Sequence, residues 1–177
     1  MRALTEIRGI GASRVRDILD QGVACVGVRA AAGRRDVISG TATVLDADTF
    51  VVAGERIRLI GIDAPENDQH CHVDGRPWPC GEMATAAAEA MVGRSEIACE
   101  VFGRDRYERP LAVCRRGEVD LNDLIVREGW ALAWYPSSGS VVLGPSYEAA
   151  EAEAAVHRRG MWRGQFVEPW EWRRGQR

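Results

Sequence analysis

Three short runs rich in β-branched residues follow one another closely in the first half of the chain. They cover residues 37–46, 49–53 and 56–62, and turn-forming Asp, Gly and Glu residues separate them. Runs of this length between such turns predict three antiparallel strands joined as a meander. Two further runs, at residues 96–102 and 110–114, predict a β-hairpin.

Helical patterns lie between and after these strands. Residues 81–93 are rich in alanine and end at a glycine, and residues 120–129 begin at Asp120, a plausible N-cap, and end at Gly129. Residues 145–160 predict the longest helix, with acidic residues early and basic residues in its last turn. The tail at 160–174 is rich in Trp and Phe, and we expect it to pack on the rest of the domain.

This order of elements predicts an α+β protein: a five-stranded OB-type β-barrel with about three packed helices. We expect the domain to cover residues 37–177. Residues 1–36 predict a short helical N-terminal arm and linker. A glycine turn at residues 9–11 makes a helix-hairpin-helix-like element possible there, since such a turn can present N–H groups to a phosphate.

Charge is distributed unevenly along a chain whose net charge is −3. Residues 37–156 carry 20 acidic residues against 10 arginines, whereas both ends are basic, and the chain contains no lysine. The acidic middle argues against tight non-specific binding to nucleic acid, so we expect any such affinity to depend on a bound cation. No apolar run is long enough to span a membrane.

Four of the five cysteines form two local pairs. The midpoint of the predicted hairpin places Cys99 directly opposite Cys114, at a separation that a disulfide can bridge. Cys71 and Cys80 bracket a loop rich in Pro and Gly. Disulfides predict an oxidising compartment, secreted or periplasmic, yet the first residues contain no apolar signal core, so a cytoplasmic location stays open.

The sequence His70-Cys71-His72, together with Cys80, allows a second interpretation of that loop. These residue types bind zinc, but the usual C-x₂-C spacing is missing. We therefore favour a loop disulfide with two exposed histidines.

Charged residues interrupt the apolar pattern around the third predicted strand. Arg58 lies inside it, Asp63 and Glu66 follow it, and the meander brings the turn at Asp48 close to it. Carboxylates that converge repel one another unless a cation is present, and a hard cation such as Ca²⁺ accepts carboxylate, carbonyl and water oxygens. Arginines beside such an ion suit a phosphodiester, whose oxygens gain charge when the phosphorus is attacked.

Arg58 and Asp63 are five residues apart, so a straight strand would point them to opposite faces. A common site requires a bend between them. Gly61 is the residue that permits this bend.

Four segments resemble the staphylococcal-nuclease-like (thermonuclease) family, in its order and at its spacings: DADTFVV, IRLIGIDAPE, RDRYERPLA and DLNDLIVREGWALAWY. The resemblance covers roughly residues 38–172, and the tail resembles a bacterial branch with the same cysteines. It implies an OB barrel and Ca²⁺-dependent cleavage of DNA and RNA by in-line attack of water. The resemblance implies that Asp48, Asp63 and the Ala64 carbonyl bind the metal. It implies that Glu66 is the general base and that Arg58 and Arg109 bind the phosphate during catalysis. It also implies that Arg106, Tyr107 and Tyr135 contact the substrate.

The chain departs from the family pattern at three positions. Ala47 replaces the usual Gly between the turn aspartates, and Ala64 replaces a Thr whose hydroxyl would lie near the ion. Glu108 replaces a Gly, where its side chain could distort the hairpin or pair with Arg109. The alternative function is therefore a non-catalytic OB module that binds nucleic acid or protein. In either case we expect a monomer with no membrane partner.

Overall fold

The computed structural model describes residues 35–134 and 146–176. The predicted N-terminal arm, the leftover Cys25 and Tyr135 lie outside these ranges. No helix in the described ranges has the length and apolar character needed to cross a bilayer.

The described chain forms ten strands, four α-helices and a 3₁₀ helix. The strands are β1 (Val37–Asp46), β2 (Thr49–Val52), β3 (Glu55–Leu59), β4 (Ile62–Asp63), β5 (Cys71–Val73), β6 (Arg76–Trp78), β7 (Glu96–Arg104), β8 (Pro110–Arg116), β9 (Val119–Asp120) and β10 (Leu132–Ala133). The helices are α1 (Cys80–Val92), α2 (Leu121–Arg127), α3 (Glu148–Val156), the 3₁₀ helix (Gly160–Arg163) and α4 (Pro169–Arg173).

The main sheet has the strand order β3-β2-β1-β7-β8-β9. A parallel pairing of β3 with β8, which sets Arg58 opposite Leu111, closes strands β1, β2, β3, β7 and β8 into a barrel. The predicted five-stranded α+β barrel is thus confirmed. Alternation along the strands sends Phe50, Ile57 and Leu59 into its core, where each is almost fully buried.

Both predicted cysteine pairs are disulfide-bonded. Cys99 and Cys114 lie opposite each other on β7 and β8, as the midpoint of the hairpin predicted. The Cys71–Cys80 disulfide ties the β5–β6 hairpin to the start of α1. These two sulfurs are therefore not available as thiolates, which removes the zinc interpretation of this loop.

The elements differ from the prediction in several places, and the short strands β5, β6, β9 and β10 and the 3₁₀ helix were not predicted. The third predicted strand is divided into β3 and β4, because Gly61 adopts φ 79° between them. The helix expected over 145–160 is shorter, Glu148–Val156. Residues 35–134 and 146–176 contain four α-helices rather than about three, because the tail forms α4, with Pro169 in its first turn. The predicted cap of α2 is confirmed, since the Asp120 side chain accepts from the Asp123 N–H.

The tail packs back onto the domain as expected. Met161 and Trp162 are buried in a second apolar cluster that also contains the Cys71–Cys80 disulfide. Gln165 pairs with His72 of β5 through backbone hydrogen bonds of 2.8 and 2.7 Å. These backbone hydrogen bonds attach the segment before α4 to the β5–β6 hairpin.

Candidate active site

Asp48 lies in the tight turn between β1 and β2, and only 5% of it is exposed. Its Oδ2 accepts a 2.8 Å hydrogen bond from the Ala64 N–H, and its Oδ1 accepts one of 3.0 Å from the Thr49 hydroxyl. Asp46 supports the turn, because its Oδ1 accepts from the Asp48 N–H. Ala47 is fully buried and its φ is not positive, so the turn accommodates an alanine at this position. The turn thus holds the Asp48 carboxylate against the segment that follows β4.

The predicted bend at Gly61 is present, and it brings Asp63 back toward β3. Asn122 is fully buried and secures the bend by donating to the Ile60 carbonyl at 3.0 Å and the Ala112 carbonyl at 3.2 Å. The Trp134 N–H donates to the Gly61 carbonyl at 2.9 Å. Asp63 is consequently fully buried at the barrel edge, where its carboxylate needs partners of opposite charge.

Arg58 is the partner that joins the two buried aspartates. Its Nη2 lies 2.6 Å from Asp63 Oδ1, and its Nη1 forms an ion pair with Asp48 Oδ1. Nη2 also donates to the Ile62 carbonyl at 3.2 Å. Burial lowers the pKa of Arg58 more than the attraction of Asp63 raises it, but an arginine still remains charged near neutral pH. One guanidinium therefore bridges the two carboxylates expected to bind metal.

A second arginine approaches the same carboxylates from the tail. Arg173, the last residue of α4, lies 2.6 Å from Asp63 Oδ2 through Nη2 and 2.8 Å from Glu66 Oε1 through Nη1. Partial burial lowers the pKa of Arg173, but the hydrogen bonds and charges of Asp63 and Glu66 raise it more, so the net shift is upward. Asp63 and Glu66 are thereby linked by one guanidinium.

The loop that carries Glu66 is held by a buried glutamine. Gln69 has no exposed surface, and its Oε1 accepts from the Glu66 N–H at 3.3 Å. Its Nε2 donates to the Val167 carbonyl of the tail at 2.7 Å. Gly81 approaches this loop so closely that a Cβ there would lie 1.8 Å from the Glu66 carbonyl oxygen. The backbone at Glu66 is therefore fixed while its side chain, 38% exposed, faces solvent.

Arg109 lies on the β7–β8 hairpin, and its guanidinium is held by Asp105. Arg109 Nε donates to Asp105 Oδ2 at 2.8 Å, and Asp105 Oδ1 accepts from the N–H groups of Tyr107 and Arg109. Within the described ranges, Arg109 forms no ion pair with Asp48, Asp63 or Glu66. The structure thus joins Arg58 to the carboxylates, while Arg109 is bound to its own loop.

Glu108 does not pair with Arg109, contrary to one of the possibilities raised by the sequence. Its backbone adopts φ 61°, a left-handed conformation that suits the glycine expected here, and its carbonyl accepts from Arg104 at 2.7 Å. Glutamate is strained in this conformation. Its side chain does not contact the Arg109 guanidinium, which pairs with Asp105 instead.

Arg106 and Tyr107 stand at the exposed tip of the same hairpin. Tyr107 is 64% exposed, and the Arg106 guanidinium carbon lies 4.8 Å from the centre of its ring. The corresponding distance from Arg109 is 5.6 Å. The tip therefore offers the Arg106 guanidinium and the Tyr107 ring to solvent, a combination suited to contacts with phosphates and bases.

The donor set at Asp48 and Asp63 fits a hard divalent cation in part. Both carboxylates reach a single guanidinium, so their oxygens face the same small space, and Ala64 lies beside them. Within the described ranges, no three His, Cys, Asp or Glu side chains are grouped so that they could hold a metal ion. Two carboxylates, backbone carbonyl oxygens and water nevertheless form the kind of set that Ca²⁺ accepts.

Sequence reasoning overlooked three residues that organise this site: Asp105, Gln69 and Arg173. Asp105 could have been identified from the sequence, because an Asp at the start of a turn accepts hydrogen bonds from backbone N–H groups two to four residues later. Arg173 lies in an arginine-rich tail, a pattern that usually marks a solvated surface. Only the docking of the tail shows where it points.

Comparison with known proteins agrees with this fold. The family model described as "Staphylococcal nuclease homologue" matches residues 56–164. The chain is 34% identical over 137 residues to the succinoglycan biosynthesis protein ExoI of Rhizobium meliloti, an alignment that covers 76% of this chain and 69% of the relative. It is 31% identical over 146 residues to an uncharacterized endonuclease of Escherichia coli O157:H7, covering 78% of this chain and 86% of the relative. A probable staphylococcal-like nuclease of rice, CAN2, is 28% identical over 138 residues, covering 73% of this chain and 32% of the relative.

Proposed function

Because the chain belongs to the staphylococcal nuclease homologue family of nucleases, we propose that it hydrolyses phosphodiester bonds of DNA and RNA with the help of Ca²⁺. The observation that carries this proposal is the bridge formed by Arg58. A single guanidinium contacts both Asp48 and Asp63, and Glu66 lies beside them through its link to Arg173. Two buried carboxylates suited to metal binding, an arginine suited to phosphate binding, and the partly exposed carboxylate of Glu66, paired with Arg173, thus share one edge of the barrel.

Asp48, Asp63 and the Ala64 carbonyl would hold the cation. When bound, Ca²⁺ supplies positive charge that polarises a phosphodiester and offsets the charge that develops during attack. Asp48 and Asp63 are buried and their backbone is fixed by the turn and the bend, so they can keep this position without reorganisation.

Arg58 and Arg109 would donate hydrogen bonds to the non-bridging oxygens of the phosphate. Glu66 would accept a proton from water as the water oxygen forms a bond to phosphorus and the bond to the 5′ oxygen breaks. A 3′-phosphate product follows from this direction of cleavage. Arg109 must leave Asp105 to reach the phosphate, because its guanidinium is held there by two contacts of 2.7–2.8 Å.

Arg106 and Tyr107 would contact a neighbouring phosphate or base from the hairpin tip, and Tyr135 would line the nucleotide site. We assign this activity to residues 37–177, acting as a monomer. Two disulfides indicate a non-cytoplasmic location, and we propose that the protein is secreted or periplasmic.

Cleavage of DNA and RNA by the purified protein, in Ca²⁺ and in excess chelator, tests the proposal. We expect cleavage in Ca²⁺. Excess chelator should stop this cleavage, and the Asp63→Asn variant should lack it. Asp68→Asn is the matched control, because Asp68 is an exposed carboxylate of the same loop. Binding of nucleic acid without cleavage would favour the alternative of a non-catalytic OB module, and undiminished cutting in chelator would contradict the dependence on metal.

A further inference from the structure

Arg173 occupies carboxylate oxygens that the proposed reaction needs. Asp63 Oδ2 and Glu66 Oε1 both lie within 2.8 Å of its guanidinium. Arg58 already holds Asp63 Oδ1 at 2.6 Å. Both oxygens of this buried carboxylate are therefore bound to guanidinium groups.

The tail is built to deliver Arg173 to this position. The Val167 carbonyl accepts from the buried Gln69, and Gln165 pairs with His72 through two backbone hydrogen bonds. Gly164 passes so close to His72 that a Cβ there would lie 2.1 Å from the His72 carbonyl oxygen. Because the backbone before α4 is fixed at several points, the contact of Arg173 with the carboxylates is a defined feature of the fold.

The charges show why this contact matters. Asp48, Asp63 and Glu66 supply three negative charges, and Arg58 and Arg173 supply two positive charges at the same place. A cation that binds Asp63 competes for oxygens that the two guanidiniums now contact. Bringing an additional divalent charge into a site that keeps both guanidiniums close would be opposed by repulsion.

Arg173 is the guanidinium that can leave. The Arg58 side chain is only 14% exposed and is also held by Asp48 and the Ile62 carbonyl. The Arg173 side chain is 40% exposed and stands at the end of a five-residue helix. The long, partly exposed side chain of Arg173 can rotate so that its charge lies in water, whereas the Arg58 side chain is largely buried.

We propose that Arg173 is an intramolecular competitor of the divalent cation, and that it sets the cation concentration at which the active site forms. The inference rests on the proposed function, since it assumes that Asp63 binds the cation. While Arg173 is in place, it neutralises Asp63 and occupies Glu66. Its displacement frees Asp63 Oδ2 for ligation and Glu66 Oε1 for proton transfer in the same movement.

Calorimetric titration of the purified full chain with Ca²⁺, in the absence of nucleic acid, tests this role. Arg173→Ala and Arg173→Gln remove the competing charge, and we expect each to bind Ca²⁺ about tenfold more tightly than wild type. Arg174→Ala is the matched control, because Arg174 is 72% exposed and pairs with Glu171. Its dissociation constant should equal that of wild type. Thermal unfolding of each variant in chelator shows whether it is folded.

Folded Arg173 variants that bind Ca²⁺ as wild type does, or more weakly, would overturn the competition while leaving the proposed function standing. An Asp63→Asn variant that binds Ca²⁺ as wild type does would show that the ion lies elsewhere and would overturn the proposed function itself. If neither wild type nor the Arg173 variants bind Ca²⁺, both proposals fall.

Discussion

Arg58 and Asp63 are five residues apart in sequence, yet Arg58 Nη2 lies 2.6 Å from Asp63 Oδ1. A continuous strand would send these side chains to opposite faces. Gly61, at φ 79°, turns the chain between them. Asn122 ties the turned segment to β8, because it donates to the Ile60 carbonyl and accepts from the Cys114 N–H. The active-site geometry therefore depends on one interruption of a barrel strand.

Gly61→Ala should destabilise the protein by about 1–2 kcal/mol, because an L-residue is strained at positive φ. It should also reduce nuclease activity by misplacing Asp63 relative to Arg58. Urea denaturation and a DNA cleavage assay measure the two effects. Gly103→Ala is the control, since Gly103 has no positive φ and a Cβ there would meet open space. Equal stability of both variants would show that the bend is not under conformational constraint.

Arg58→Ala should lower the free energy of unfolding by about 3 kcal/mol in chelator, because it leaves two buried carboxylates without their shared partner. A loss of activity in this variant is consequently not a clean measure of phosphate binding. Added Ca²⁺ should stabilise Arg58→Ala more than wild type, since the cation replaces the missing charge. Arg56→Ala, an exposed position on the same strand, should change stability little. A Ca²⁺ effect on Arg58→Ala no larger than on wild type would argue against a cation at these carboxylates.

Glu108→Gly should raise the free energy of unfolding by about 1 kcal/mol, because Glu108 holds φ 61° and glycine adopts this conformation without strain. Activity should not fall, since the Glu108 side chain does not pair with Arg109. Glu118 is an exposed turn residue whose φ is not positive, so Glu118→Gly should instead lower the free energy of unfolding by roughly a few tenths of a kcal/mol. A destabilised Glu108→Gly would mean that the glutamate side chain contributes to the hairpin.

Asp105→Asn tests the electrostatic role of the carboxylate that holds Arg109. Partial burial raises the pKa of Asp105, but the hydrogen bonds from Arg109 and Tyr107 lower it more, so the net pKa lies below the ordinary value of 3.8. A lowered pKa stabilises the folded state above pH 3.8, and this contribution disappears as the pH falls through the folded-state pKa. The free energy of unfolding of wild type should exceed that of Asp105→Asn at pH 7, and the difference should shrink below pH 3.8. A difference that stays constant with pH would show that the charge is not responsible.

The barrel could be predicted from sequence because its strands alternate regularly and the turns between them are short. Cys99 and Cys114 were paired by the symmetry of one hairpin, which is a local property. Asp48, Arg58 and Asp63 could be grouped because a meander brings its first turn near its third strand, and Gly61 marked the necessary bend.

Arg173 could not be placed in this way. It lies 110 residues from Asp63, and their contact depends on the docking of the tail through Gln69, His72 and Gly164. No periodic pattern encodes such a contact. The pairing of Arg109 with Asp105 depends on the exact conformation of the hairpin turn, in which Asp105 rather than the adjacent Glu108 faces the guanidinium.

The cleavage rate of Glu66→Gln in saturating Ca²⁺ tests the central claim most directly. Glutamine keeps the size of the side chain but cannot take a proton from water. We predict that the rate falls by about 10²–10⁴-fold, while Ca²⁺ still binds and the thermal stability stays close to that of wild type. Cleavage by Glu66→Gln at the wild-type rate would contradict the account, because it would place the base, and with it the hydrolytic centre, away from Asp48, Arg58 and Asp63.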